Sequence, residues 1–211
     1  MNEILEQKRV LPLVTIDNID DTEPLAQALI EGGLPIMEVP FRTSIAAEAI
    51  QKVRDKFPEM LVGAGTVLSI EQLEQAADAG AQFAVAPGFN SDLVERAREL
   101  DILFIPGVMT PTEIEAAIAQ DCMLLKYFPA EVAGGVKFLK AIAGPYTTTG
   151  VKFIPTGGIT SKNAEAYLRL TIVGAVGASW MTARDLVVER GWSEITRRTR
   201  EICEAAARAF T

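Results

Sequence analysis

Short apolar runs recur along the chain about every 20 to 25 residues: LPLVTI (11–16), IMEVPF (36–41), LVGAGT (61–66), QFAVAP (82–87), ILFIPG (102–107), MLLKYF (123–128), VKFIPT (151–156) and IVGAVG (172–177). Each is too short for a helix and has the apolar character of a buried strand. Between them, apolar residues return at helical spacing, as in EPLAQALIEGG, SIAAEAIQKVRDKF, SIEQLEQAADAG, SDLVERAREL and PTEIEAAIAQ. Thr22, Ser44, Ser69, Ser91 and Thr110 with Pro111 stand where these helices would begin, and Gly32-Gly33 and Gly80 stand where two would end. Strand and helix alternating eight times predicts parallel strands joined by helical crossovers. An open doubly wound sheet and a closed (β/α)8 TIM barrel both satisfy that order. Eight short units of similar length, with no G-x-G-x-x-G after the first strand, favour the barrel. No linker or low-complexity stretch interrupts the pattern, so residues 1–211 are expected to form a single barrel domain. An N-terminal arm or helix would precede the first strand, and a last helix near 193–210 would join the outer ring.

Composition narrows the chemistry. The chain has 211 residues and is 49% hydrophobic, enough for one substantial core. No apolar stretch approaches the roughly 20 residues of a membrane span, and MNEILEQKRV lacks the apolar segment of a signal peptide. A cytoplasmic location is the default expectation. Cys122 and Cys203 suggest no disulfide framework. A net charge of −8 argues against nucleic-acid binding but permits an anionic small substrate in a locally positive cleft. Histidine is absent, which excludes a His-ligated zinc and a Ser-His-Asp triad. Proton transfer would fall to Glu, Asp, Lys, Tyr, Cys or water.

In such a barrel the chemistry gathers at the C-terminal ends of the strands. No group of three or four carboxylates falls there, so no dedicated protein-only metal site is expected, while a loosely held magnesium stays open; no cofactor is called for. Alternation along IMEVPFRT puts Glu38, Pro40 and Arg42 on one face and Met37, Val39 and Phe41 on the other. If the first face is inward, Glu38 points into the barrel and Arg42 sits nearest its mouth. On the third strand Val62, Ala64 and Thr66 share a parity. On the sixth, Leu124, Lys126 and Phe128 do, which would bring Lys126 and Glu38 together inside the ring. Burial disfavours an ammonium group relative to a neutral amine, and a neutral amine attacks ketones to form a Schiff base. A structural ion pair between Lys126 and Glu38 is the plainer alternative. PTGGIT and VGASW follow the last two strands. There the glycines would let backbone amides approach an anion, and a following helix N-terminus would add its dipole. Thr156, Gly157, Gly158, Gly177, Ala178 and Ser179 are the candidate phosphate-binding residues.

Together, E-V-P-F-R-T, G-A-G-T-V, K-Y-F-P-A-E and P-T-G-G-I resemble the 2-keto-3-deoxy-6-phosphogluconate (KDPG) aldolases, whose bacterial members often also act on 4-hydroxy-2-oxoglutarate (KHG). The resemblance runs from about Leu11 to past Trp180. It implies a metal-free class I aldolase of the Entner-Doudoroff pathway, assembled as a homotrimer of barrels. Lys126 matches the Schiff-base lysine and Glu38 the acid/base glutamate. Arg42 matches the arginine near the pyruvate carboxylate, with Thr66 beside it. Phe128 matches an aromatic residue lining the site, and Pro87, at the end of the fourth strand, is counted with it. The phosphate-binding turns match Gly157-Gly158 and the segment around Ser179. Two positions depart from the pattern. Pro40 stands where many members have threonine, as in some relatives acting on the galactonate epimer, and Ala178 replaces a glycine, adding a methyl that could crowd a phosphate. Arg42 and PTGGI side with the gluconate branch. Other readings of the same residues are a galactonate-branch aldolase, a phosphate-binding isomerase or epimerase using Glu38 and Lys126 as an acid/base pair, and a non-catalytic subunit binding a phosphorylated metabolite.

Overall fold

A computed structural model describes residues 3–209. Nine strand segments build eight staves: β1 (Val10–Pro12), β2 (Ile36–Pro40), β3 (Leu61–Gly65), β4 (Phe83–Val85), β5 (Leu103–Ile105) continued by β6 (Gly107–Val108), β7 (Leu124–Tyr127), β8 (Lys152–Pro155) and β9 (Val176–Ala178). β5 and β6 form one stave broken at Pro106, whose ring nitrogen has no hydrogen to give a ladder. Its carbonyl still accepts from the Lys126 amide at 2.9 Å. All ladders are parallel, in three sets: β1 with β9, β2 through β5 in order, and β6 through β8 in order. Isolated bridges from Leu13 to Glu38 and from Thr156 to Gly177 join the sets, and the Gly107 amide reaches the Gly88 carbonyl. The sheet therefore closes into the expected (β/α)8 barrel.

The arm ahead of β1 is the short helix α1 (Glu3–Lys8). The outer layer continues with α2 (Thr22–Glu31), α3 (Ala46–Lys56), α4 (Ile70–Asp78), α5 (Ser91–Glu99), α6 (Pro111–Ala119), α7 (Gly135–Ala143), α8 (Ala164–Leu168), α9 (Arg184–Val188) and α10 (Trp192–Arg208). The start signals work unevenly. Ser69 caps α4 by accepting from the Gln72 amide, and Thr110 forms a reciprocal capping box with Glu113 on α6. Asn90, not Ser91, caps α5, while α2 and α3 begin without a side-chain cap. Gly33 and Gly80 turn the chain out of α2 and α4 at φ +86° and +83°, where a Cβ would be strained.

Several apolar runs outlast their ladders. The 11–16 run holds a ladder only as far as Pro12, with a single bridge at Leu13, and the 172–177 run holds one only from Val176, after a single bridge at Val173. Val14, Ile16 and Ile172, outside the ladders and bridges, are buried all the same. Apolar character reports burial, and burial extends past the paired backbone.

Register sets what faces the interior. Glu38 is level with Gly63, and Lys126 lies between Gly107 and Ile154. Their neighbours face the other way: Tyr127 is buried against α7, its ring stacked on Phe138 with centroids 6.4 Å apart. No helix among the described residues is long and apolar enough to cross a membrane.

Candidate active site

The inward faces of β2 and β7 bring Glu38 and Lys126 together. Lys126 Nζ lies 3.9 Å from Glu38 Oε1, and the two side chains are 5% and 1% exposed. That separation is beyond a hydrogen bond. Both carboxyl oxygens of Glu38 are buried and bonded to nothing among the described residues. Loss of water raises the Glu38 pKa above the ordinary carboxylate range, with Lys126 and then Arg42 pulling it back down. The ammonium group of Lys126 also lies 5.4 Å from the centre of the Phe128 ring, within cation–π range.

Glycine makes room for this pair. A Cβ on Gly65 would fall 2.2 Å from Glu38 Oε1, one on Gly63 would meet the Phe83 ring at 2.6 Å, and one on Gly107 would strike the Pro87 carbonyl at 2.1 Å. These contacts settle which face of β3 is inside, which the shared parity of Val62, Ala64 and Thr66 left open. Gly63 and Gly65 share the interior with Glu38, and Val62 and Ala64 point to the helices. Thr66 is thus not carried inward by strand parity. It follows the last residue of β3 with φ +54°, an uncommon conformation for a threonine, and this turn sets its direction.

Arg42 lies in the turn after β2, exposed, with Nη2 donating to Thr15 Oγ1 at 3.3 Å. Pro87 is half-buried after β4, and Phe128 is 38% exposed after β7. Glu38, Lys126, Arg42 and Phe128 therefore occupy one end of the barrel. A separate surface pocket of about 480 Å³, lined by Arg98, Leu103, Cys122 and Met123 among others, lies at the opposite end and contains none of them.

The two glycine turns also meet at the mouth. Thr156 is buried and donates to the Ile154 carbonyl, and a Cβ on Gly177 would touch Thr156 Oγ1 at 2.2 Å. Gly157 and Gly158 have φ of +104° and +80°, and their amides donate to no partner among the described residues. Ser179 is exposed just past β9. The expected dipole from a following helix is not there. α8 and α9 have five residues each and begin at Ala164 and Arg184, well beyond the turns. So short a helix barely completes a turn, and any attraction for an anion would come from the free amides themselves. The Ala178 methyl is also not where it could crowd a ligand. It alternates with inward Gly177 and is buried in the outer layer opposite Pro12.

Sequence reasoning passed over the residues that brace these parts. Thr15 holds Arg42. Asn163 donates to the Gly158 carbonyl at 3.0 Å and accepts from the Thr160 amide at 2.8 Å. The Glu131 amide donates to the Gly157 carbonyl, and its carboxylate accepts from the Tyr167 hydroxyl. An Asn five residues past a Gly-Gly turn was a readable signal for the second; nothing in sequence pointed to Thr15 or Tyr167. Among the described residues no group of three or more His, Cys, Asp or Glu could hold a metal ion.

A buried amine beside a buried carboxyl of raised pKa can form an imine with a ketone and move a proton at the adjacent carbons. Comparison with known proteins bears on that chemistry. A family model described as KDPG and KHG aldolase matches residues 1–198. The chain is 45% identical over 194 residues to the 2-dehydro-3-deoxy-phosphogluconate aldolase of Treponema pallidum, covering 92% of this chain and 91% of that protein. It is 40% identical over 203 residues to the KHG/KDPG aldolase of Escherichia coli K12, covering 96% and 94%. Among solved structures, KDPG aldolase from Legionella pneumophila, with pyruvate captured as a covalent carbinolamine intermediate, superposes with a TM-score of 0.89 at 38% identity, over 94% of this chain and 96% of that one. By sequence over nearly its whole length, and by fold, this chain belongs to the KDPG and KHG aldolase family.

Proposed function

We propose that this chain is a class I aldolase that cleaves KDPG to pyruvate and glyceraldehyde 3-phosphate, and KHG to pyruvate and glyoxylate. The observation that carries the reading is the Lys126–Glu38 pair: buried, 3.9 Å apart and without a hydrogen bond between them. A pair kept only for structure would be expected to close to bonding distance, because two desolvated charges offset their cost only with good geometry and satisfied partners.

In the proposed cycle the Lys126 amine attacks the C2 ketone, and the carbinolamine loses water to give a protonated imine. Glu38, directly or through a water, takes the proton of the C4 hydroxyl. The C3–C4 bond breaks, its electrons pass into the imine as an enamine, and the aldehyde departs. Glu38 returns a proton to C3, and water adds at C2 to release pyruvate and the free amine. Arg42, steadied by Thr15, holds the substrate carboxylate, with Thr66 beside it and Pro87 and Phe128 along the wall. The free amides of Gly157 and Gly158, with Ser179 and the Thr156–Gly177–Ala178 backbone, take the phosphate. The chain works as a single barrel domain, residues 1–211, in a homotrimer. Leu68 and Val132, 59% and 88% exposed beyond β3 and β7, are apolar side chains open to such contacts, and sedimentation velocity at micromolar concentration would read the trimer directly.

The deciding experiment is to add pyruvate, reduce with borohydride and map the modified peptide by mass spectrometry. An adduct on Lys126 is expected. Turnover of a sugar phosphate without any adduct would replace the aldolase with an isomerase or epimerase.

A further inference from the structure

The outward face of α10 carries a run of charges at Glu194, Arg197, Arg198 and Glu201, spaced so that they lie along one side of the helix. They form one connected chain. Arg198 Nε and both Arg197 Nε and Nη2 donate to the Glu194 carboxylate at 2.7–2.8 Å, and Arg197 Nη1 donates to Glu201 Oε2 at 3.0 Å. Each end of this chain holds a different loop. At one end Arg198 Nη1 donates to the Trp180 carbonyl at 3.2 Å, and the guanidinium lies 5.3 Å from the centre of the Trp180 ring. At the other, Ser161 Oγ donates to Glu201 Oε1 at 2.6 Å.

Those two attachment points are not arbitrary. Trp180 directly follows Ser179, and Ser161 lies three residues past Gly158, in the loop that Asn163 fastens to the Gly158 carbonyl. The Thr156–Gly177 bridge joins the two staves at the base of the turns; beyond it, α8 and α9 have only five residues each and are short struts for the loops that carry Ser161 and Trp180. We infer that the Arg198–Glu194–Arg197–Glu201 network of α10 is a caliper that sets the distance between the two anion-binding turns, making Arg198 and Glu201 positioning residues for the phosphate end of the substrate. The inference rests on the reading of Gly157-Gly158 and Ser179 as phosphate-holding turns.

Backbone amides aimed at a phosphate lose their advantage when they are displaced by fractions of an ångström, whereas Lys126 and Glu38 stand on staves and do not depend on α10. The caliper therefore affects one half of the substrate only. Arg198→Leu keeps an apolar cover on Trp180 but removes the donor and the charge. It should raise KM for KDPG about tenfold with kcat little changed. Cleavage of KHG, which has no phosphate, should be unaltered, and inhibition by inorganic phosphate should weaken in parallel with KM. Glu201→Gln, at the opposite end, should repeat the pattern more mildly, and Arg198→Lys should restore part of it. Because the network is partly exposed, 0.5 M salt should raise KM for KDPG more in the unaltered chain than in Arg198→Leu, once competition by the anion itself is subtracted with KHG as the reference. Equal losses on both substrates, with an unchanged KDPG-to-KHG ratio, would reduce the network to a general brace and overturn the inference, as would no loss on either substrate in both variants. If the unaltered chain cleaves KHG but neither prefers KDPG nor responds to inorganic phosphate, the phosphate reading itself falls and takes the caliper with it.

Discussion

The carboxyl of Glu38 and the ammonium of Lys126 face each other at 3.9 Å across the inside of the barrel, on staves that belong to different hydrogen-bonded sets. Neither oxygen of Glu38 is bonded to any of the described residues, although almost no solvent reaches it. A buried polar group without partners normally costs about 1–3 kcal/mol. Such a cost is tolerated where the group must be free to exchange a proton.

Replacing Glu38 by Gln separates chemistry from stability. Cleavage should fall by about 10²- to 10⁴-fold, the usual contribution of a positioned acid/base. Stability should move the other way as pH rises. Burial raises the folded pKa of Glu38, so its favourable contribution is complete below the unfolded value near 4.5 and is lost as pH climbs through the folded value. Gln does not ionise. The melting temperature of Glu38→Gln relative to the unaltered chain should therefore rise between pH 4.5 and pH 8, by about 2–4 °C for each kcal/mol recovered in a chain of this size. A constant difference across that range, measured by calorimetry, would contradict the assignment.

Gly65→Ala tests the space that Glu38 occupies. The new methyl would sit 2.2 Å from Oε1, and the carboxylate is the flexible partner that must give way. Overpacking of this kind costs about 1–3 kcal/mol, and a base displaced by about 1 Å costs on the order of 10²-fold in kcat. The variant should fold, as judged by circular dichroism, and still yield the borohydride-trapped pyruvate adduct, formed more slowly.

Arg42→Lys should raise KM for pyruvate about tenfold in the condensation direction, with a smaller effect on kcat, because a point charge replaces a planar fork and the bond to Thr15 is lost. Steady-state kinetics at several pyruvate concentrations give the split. Equal KM values would remove Arg42 from the carboxylate end.

Thr110→Ala serves as a contrast. It breaks the capping box with Glu113, whose pKa is lowered by its bonds to Met109 and Thr110 against the opposing effect of burial. The cost should be about 1 kcal/mol in urea denaturation, with kcat/KM unchanged.

The acid side of the α10 network gives a further check. Bonds from Arg197 and Arg198 hold the Glu194 pKa down at about 2. Its stabilising effect is present above the unfolded value near 4.5 and is lost as pH falls toward 2. Tryptophan fluorescence, with Trp180 stacked against Arg198, should report loosening of that contact across this window ahead of global unfolding.

Much of this arrangement was legible in the residues because the informative positions contrast with their neighbours. Glu38 among Ile36, Met37 and Val39, and Lys126 among Leu124, Leu125 and Tyr127, are polar letters in apolar runs, and alternation puts each on one face with the residues at its strand's mouth. The third strand stayed undecided for the converse reason. Gly63, Ala64 and Gly65 differ too little for alternation to show which face is inside, so the parity was legible but its direction was not, and Thr66 takes its own direction from a left-handed turn. A helix N-terminus was expected directly after each phosphate turn from the strand–helix order, which does not say how many residues the backbone spends in loops before α8 and α9 begin. Thr15, Glu131, Tyr167 and Asn163 were missed because each acts through a contact that closes only in three dimensions.

Closure of the ring has a consequence for when activity appears. Glu38 belongs to the four-stranded set and Lys126 to a three-stranded one, and isolated bridges rather than full ladders join the sets around the circle. A chain in which every ladder had formed but the circle stayed open would look native to most spectroscopic probes and yet hold its amine and its acid apart. Enzymatic turnover in this protein is thus a gauge of circularisation itself: during refolding it should emerge last, after the spectroscopic signals of sheet and helix have finished changing.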